Sequence, residues 1–346
     1  MKPILICGGV GTKMWPESRP EKPKHFLPLI DDKSLFRLNY ETLLKKFKPE
    51  EIFVQTTEFQ KGLVKTEAPE IPEKNIFLEP EVRNTGPAIG LTAALLSRMG
   101  YGDEPFVLIQ VDDLREPDDR FLEMIEVTGK MALESDKYIT GGFKPERVVR
   151  GVDYLVKGRL LSKENGIVVY EVADYIDRTE TEKIEKYLGS EDLLLHTNHT
   201  TMTPNNYLKM YRELRSDWYE PLAAIVAGGD VNENFMKMTK GPQEEVTPTM
   251  HRSGRSIVVE IPFKWVDFGT WESVAIYQET RDKKPELRAK IEIEASNNFV
   301  RMSDPNKPVA LIGVSDLVVV DTPNGLLICK KDQSGRVGEV VKALEA

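Results

Sequence analysis

The chain has 346 residues, enough for one large α/β domain and a smaller appendage. Its 40% hydrophobic and 30% charged residues are ordinary for a soluble globular protein, and a formal charge of −9 excludes the broad basic surface of a nucleic-acid scaffold. Cys7 and Cys329 match no metal-ligand spacing, no segment reaches the roughly 18 uninterrupted apolar residues of a membrane span, and no signal peptide is expected before the first strand, so a reduced cytoplasmic setting is expected, without nucleic acid or membrane as partner.

In chain order, an apolar strand over residues 4–7 opens into Gly8-Gly9-Val10-Gly11-Thr12-Lys13 and on to Trp15-Pro16 and Pro23-Lys24-His25-Phe26-Leu27. Three glycines within four positions let the backbone approach an anion with its N–H groups turned inward, and Lys13 and Lys24 can neutralise phosphate oxygens. The loop lacks the third glycine of a dinucleotide fingerprint and the Gly-Lys-Ser/Thr of a Walker loop. A helix is predicted over about 34–47, strands over 52–55 and 76–78, and a small-residue helix over 87–99. A strand over 106–111, a helix near 119–133 and a strand over 138–143 follow. Strands alternating with helices predict a Rossmann-like, mainly parallel mixed sheet covered by helices on both faces, with ligands beyond the carboxyl ends of the strands.

Three further segments stand at such ends. Glu79-Pro80-Glu81-Val82-Arg83-Asn84-Thr85-Gly86-Pro87 follows the strand over 76–78, and Asn84 or Thr85 can cap a helix there. Asp112-Asp113 follows the strand over 106–111, as a solvated turn or as carboxylates for a hard cation such as Mg²⁺. Trp265-Val266-Asp267-Phe268-Gly269-Thr270-Trp271 follows a strand over 257–261, as core plus a helix start capped by Thr270. His196-Thr197-Asn198-His199 reads as an exposed loop rather than a metal site, since no further ligands at convincing spacing stand nearby. His25 packs or caps in its loop and is not assigned as a general base.

The opening segment resembles the Leu-Ala-Gly-Gly-x-Gly-Thr-Arg-Leu-Trp-Pro-x-Ser-Arg and Pro-Lys-Gln-Phe-Leu of the mannose-1-phosphate guanylyltransferases, in the sugar nucleotidyltransferase family, with Lys13 and His25 as departures. Residues 79–87 resemble that family's Glu-Pro-x-x-Arg-Asn-Thr-Ala-Pro, and residues 265–271 its Trp-x-Asp-x-Gly-x-Trp. The resemblance implies condensation of mannose 1-phosphate with GTP to give GDP-mannose and pyrophosphate. It implies a triphosphate held by Gly8, Gly9, Gly11 and Thr12, charge stabilised by Lys13 and Lys24, and guanosine bound along Glu79, Arg83, Asn84 and Thr85. It further implies Mg²⁺, or another divalent cation, on Asp112 and Asp267. In the family a histidine stands where this chain has Asp113.

On the sugar side, Thr-Gly-Tyr-Gly-Tyr-Ile becomes Arg150-Gly151-Val152-Asp153-Tyr154-Leu155, and Glu-Lys-Pro becomes Asp177-Arg178-Thr179. Gly151, Tyr154 and Asp177 are the sugar-binding candidates. This divergence leaves open another sugar 1-phosphate or NTP, or a catalytically silent paralogue that binds a nucleotide sugar. From about Ala295, short apolar runs separated by turns resemble the small left-handed β-helix ending many family members, with a final helix over about 337–344. The expected domains are thus a catalytic one over 1–294 and a β-helix-like one over 295–346, the latter leaving open a homodimer.

Overall fold

Ile4 and Leu5 in the first strand are fully buried, as expected of a strand flanked and covered on both sides. The computed structural model describes residues 1–9, 11–145, 147–149, 152–281 and 290–345. Among them a ten-stranded sheet is built from β1 (Lys2–Ile6), β2 (Phe53–Thr57), β3 (Ile76–Glu79), β4 (Phe106–Gln110), β5 (Tyr138–Phe143), β6 (Tyr154–Glu164), β7 (Ile167–Ile176), β8 (Leu193–His196), β9 (Thr201–Met202) and β10 (Ser256–Glu260). Their order is β8-β6-β7-β10-β5-β9-β4-β1-β2-β3. From β4 through β3 the pairing is parallel, with Ile4 opposite both Phe53 and Leu108, and β5 and β10 are parallel again. Antiparallel strands complete the mixed sheet.

The chain folds as two compact units, each discontinuous in sequence. The sheet belongs to the first, residues 1–8, 40–110 and 115–264; the second gathers residues 9–39, 111–114 and 265–346. In the first unit, helix Thr85–Leu96 is buried almost all round. Its small residues allow close approach: a Cβ on Gly90 would lie 2.6 Å from Leu222 and 2.9 Å from Tyr211. Helices Pro204–Leu214 and Ser216–Val226 carry those partners, and Tyr207, Tyr211 and Trp218 join Phe106 and Tyr138 in one core.

The second unit joins the start of the chain to its end. Met14, Leu27, Phe268, Trp271, Phe299, Val318 and Val337 share one core, and Trp271 Nε1 donates to the carbonyl of Trp15 at 2.9 Å. The closing helix Val337–Glu345 therefore starts in the core that holds the turn Thr12–Met14.

The C-terminal region repeats every 19 residues. Lys290 pairs with Val309, Ser296 with Ser315 and Phe299 with Val318, all in parallel register. The corners repeat too, positive φ recurring at Glu294 and Gly313 and at Asn297 and Asp316. This is the stacked geometry of a β-helix. Its first rung begins at strand Lys290–Ile293, ahead of the expected division at 294/295. All four of that strand's residues are exposed, so no buried stripe announces it in the sequence.

Candidate functional site

The glycine loop and the carboxylates meet in the second unit. Gly9 and Gly11 have φ of 67° and 75°, the left-handed region that favours glycine, while Gly8 ends the preceding piece of the first unit and Val10 lies outside the described residues. At Gly11 a side chain is excluded twice, because a Cβ would also stand 2.4 Å from Cβ of Lys24. The Ser18 hydroxyl donates to the Gly11 carbonyl at 2.7 Å and fixes the turn that Thr12 and Lys13 begin. Lys13 is exposed.

Lys24 is buried in the short turn Lys24–Phe26, and its Nζ reaches Asp112 Oδ2 at 2.7 Å. Asp112 and Asp267 are brought side by side: the Phe268 N–H bonds to the Asp112 carbonyl, and Asp112, Asp113 and Asp267 each offer an oxygen within 4.8 Å of the others. Asp113 is buried rather than part of a solvated turn, and its carbonyl accepts from Asn39 Nδ2 at 2.9 Å. Gly269 leaves room for Asp267, since a Cβ there would lie 2.8 Å from Oδ2. Thr270 caps the helix Trp271–Glu279, accepting from the Ser273 N–H at 3.2 Å.

The two carboxyls differ electrostatically. Burial disfavours charge on Asp112, yet the Lys24 ammonium outweighs it and holds the group below the usual carboxylate range. Asp267 keeps an edge open to solvent, but the protein crowded around its carboxyl, opposed by Lys24 and reinforced by the Asp112 charge, pushes it upward. Three hard oxygen donors at this separation suit Mg²⁺, and a cation would relieve the repulsion that raises Asp267.

In the first unit, the segment after β3 is tied to residues 236–243. Glu79 ends β3 buried, and desolvation, only partly offset by Gln55, pushes its carboxyl up to about 7. The Arg83 guanidinium donates to the Met238 carbonyl and pairs with Glu81 at 2.7 Å, so much of its fork braces the loop. Asn84, at φ 72°, caps the helix beginning at Thr85, with Oδ1 accepting from the Thr85 N–H at 2.8 Å. Thr85 Oγ1 accepts from the Gln243 N–H at 2.8 Å. Gly86 sits where a Cβ would meet the Trp218 ring at 2.2 Å, so the packing there excludes a side chain.

Of the sugar-side candidates, Gly151 lies outside the described residues, as does Arg150. Tyr154 is buried, its hydroxyl accepting from the Val149 N–H and donating to the Val149 carbonyl. Asp177 caps its own turn, accepting from the N–H and hydroxyl of Thr179 at 2.9 and 2.6 Å. The pairing unforeseen in this region is between buried Asp153 and Arg178, whose Nε and Nη2 reach its two oxygens at 2.9 and 2.7 Å. No local spacing signals it, because the partners stand at the outer ends of two consecutive long strands.

His196 and His199 are not in an exposed loop. Both are buried. His196 Nε2 bonds to Thr140 Oγ1 and is pushed down to about 4 by burial; His199 accepts from Arg115 Nε at 2.9 Å and is likewise depressed. The surrounding Thr and Asn residues suggest solvent, but they line a polar core strip that also holds His251 5.1 Å from His196. His25 is buried too, its ring 4.5 Å from that of Phe26.

Two family models match this chain: a nucleotidyl transferase over residues 2–147 and a MannoseP isomerase/GMP-like beta-helix domain over residues 288–344. A mannose-1-phosphate guanylyltransferase of Klebsiella pneumoniae is 28% identical over 99% of this chain and 74% of its own length, and one of Escherichia coli K12 is 27% identical over 99% and 73%. Among solved structures, a mannose-1-phosphate geranyltransferase from Thermus thermophilus superposes with a TM-score of 0.82 at 24% identity, covering 100% of this chain and 99% of that one. That likeness establishes the α/β nucleotidyltransferase fold with its β-helix-like end.

Proposed function

We propose that this chain, a homologue of the mannose-1-phosphate guanylyltransferases along its whole length, condenses mannose 1-phosphate with GTP to give GDP-mannose and pyrophosphate. The observation that carries the reading is the gathering of Lys24, Asp112 and Asp267, from three distant stretches of sequence, around one set of carboxylate oxygens. A phosphate oxygen of the sugar phosphate is already an anion and attacks the α-phosphorus without a general base. The work left to the protein is positioning and charge neutralisation.

Gly8, Gly9, Gly11 and Thr12 hold the triphosphate through backbone N–H groups and a hydroxyl. Lys13, exposed beside them, and Lys24 stabilise charge on the reacting and departing phosphates. Glu79, Arg83, Asn84 and Thr85 bind the guanosine, Glu79 by accepting from the base and Arg83 by holding the loop. Asp112 and Asp267, with Asp113 beside them, would hold Mg²⁺, which when bound draws electron density from phosphorus and screens the two anions. A cytoplasmic setting belongs to the same reading; no described helix is long and apolar enough to cross a membrane. So does a homodimer through the C-terminal domain, where Ile312, Leu326 and Ile328 stand exposed.

A second reading keeps the chemistry and changes the sugar. It is favoured by the internal engagement of the Tyr154 hydroxyl and the Asp177 carboxylate, which leaves less of the expected sugar contacts free. Pyrophosphate release with Mg²⁺, each NTP and a panel of sugar 1-phosphates tests both. Turnover confined to GTP with mannose 1-phosphate supports the first, a displaced sugar preference the second, and binding of GDP-mannose without turnover overturns both in favour of a silent paralogue.

A further inference from the structure

The second unit contains a cleft of about 630 Å³ apart from the Lys24–Asp112–Asp267 cluster, a volume within the range of small-ligand sites. One wall is the segment carrying Glu17, Arg19 and Lys22; the other is strand Phe299–Met302 of the β-helix, with Asn324 from the adjoining turn.

Five charged side chains line it: Glu17, Arg19, Lys22, Asp32 and Arg301. Arg301 is a brace, paired with Glu17 and donating through Nη2 to the Pro28 carbonyl at 3.0 Å. That leaves two cations against Asp32. Arg19 and Lys22 face each other across a two-bond antiparallel bridge, N–H to carbonyl at 3.1 and 3.0 Å, which places their side chains on one side of the backbone. Arg19 Nη1 donates to Asn324 Oδ1 at 2.8 Å, while its Nε is buried with no hydrogen-bond partner. An anion is the partner that suits a guanidinium. Lys22 is exposed and has no ion-pair partner among the described residues.

We propose that this cleft is a second ligand site, for a phosphate monoester of a polyol. Arg19 and Lys22 supply the two positive charges a phosphate dianion needs. Ser303, Asn324 and Asp32 offer hydroxyl, amide and carboxylate partners for the polyol. The site is tied to the glycine loop through the chain itself: Ser18, next to Arg19, holds the Gly11 carbonyl, and Lys24 follows Lys22 across Pro23. Binding here therefore bears on the same segment that positions Lys24.

The test is calorimetric titration of the whole protein with glucose 6-phosphate, and with glucose as the uncharged control. Wild type and Lys24→Met should bind the phosphate, glucose should not bind, and Arg19→Gln and Lys22→Gln should each weaken binding by about tenfold or more, the usual effect of losing one charge-assisted hydrogen bond. Lys22 is exposed, so its substitution decides the matter even where Arg19→Gln disturbs folding. No binding to wild type overturns the proposal, as does binding that both cleft variants retain. Loss in Lys24→Met alone also overturns it, by placing the phosphate at the glycine loop; the proposed reaction stands or falls separately, on turnover.

Discussion

The Nζ of Lys24 and the Oδ2 of Asp112 are 2.7 Å apart, though 88 residues separate them in the chain. Lys24 is buried, and that carboxylate is its ion-pair partner. Asp112 in turn stays charged beside Asp113 and Asp267 because of Lys24. Each of the two is placed where the other needs it.

If Asp112 and Asp267 act on one cation, Asp112→Asn and Asp267→Asn should each lower turnover by roughly 10²-fold or more, and the double variant should be little worse than either single one, since groups that act as a unit are not additive. Pyrophosphate release across a Mg²⁺ titration checks this. Fully multiplicative losses, or turnover that survives a chelator, would refute a shared cation.

Gly11 and Gly9 should respond differently to alanine. At Gly9 only the left-handed backbone is strained, costing about 1 kcal/mol, because nothing lies within 4 Å of the added carbon. At Gly11 the same strain is joined by collision with Lys24, so Gly11→Ala should also cut turnover by roughly tenfold or more by moving the ammonium. Thermal melts read beside initial rates distinguish the two. Lys13→Arg, at an exposed position, should keep activity, whereas Lys24→Met should lose orders of magnitude.

Glu79 predicts a pH dependence. Its folded pKa of about 7 stands above its ordinary value of 4.5, so between these the folded state holds a proton that the unfolded state has released. Stability is therefore lost as pH rises through that window, on the order of 3 kcal/mol in full. Glu79→Gln should recover it at pH 8 and change little at pH 4. In the proposed role the carboxylate accepts from guanine, so GTP affinity should rise from pH 6 to 8 and flatten in the variant. Chemical denaturation and nucleotide titration at several pH values measure both effects.

Gly86→Ala should destabilise the first unit by about 1–3 kcal/mol, the usual cost of overpacking, because its Cβ enters the Trp218 ring. Trp218→Phe, which removes the atoms at the point of collision, should make that substitution cheaper. A double-mutant cycle in urea gives the coupling. Zero coupling would mean that the helix shifts rather than the ring.

What the sequence determined by itself was local. Glycines at 9 and 11 reflect a backbone that must turn through positive φ, the cap at Thr270 follows from its own side chain, and apolar runs mark the strands because their burial leaves no alternating face. Resemblance to family motifs singles out Lys24, Asp112 and Asp267 one by one. Only the tertiary structure decided what these residues touch. Asp113 joined the carboxylates, Trp218 proved to be the reason for Gly86, Asp153 took Arg178, and a Thr-rich stretch that looked exposed was packed inside with its histidines. The reason is that burial and charge pairing are set by partners tens to hundreds of residues away, whereas backbone conformation and capping are set by neighbours within a turn.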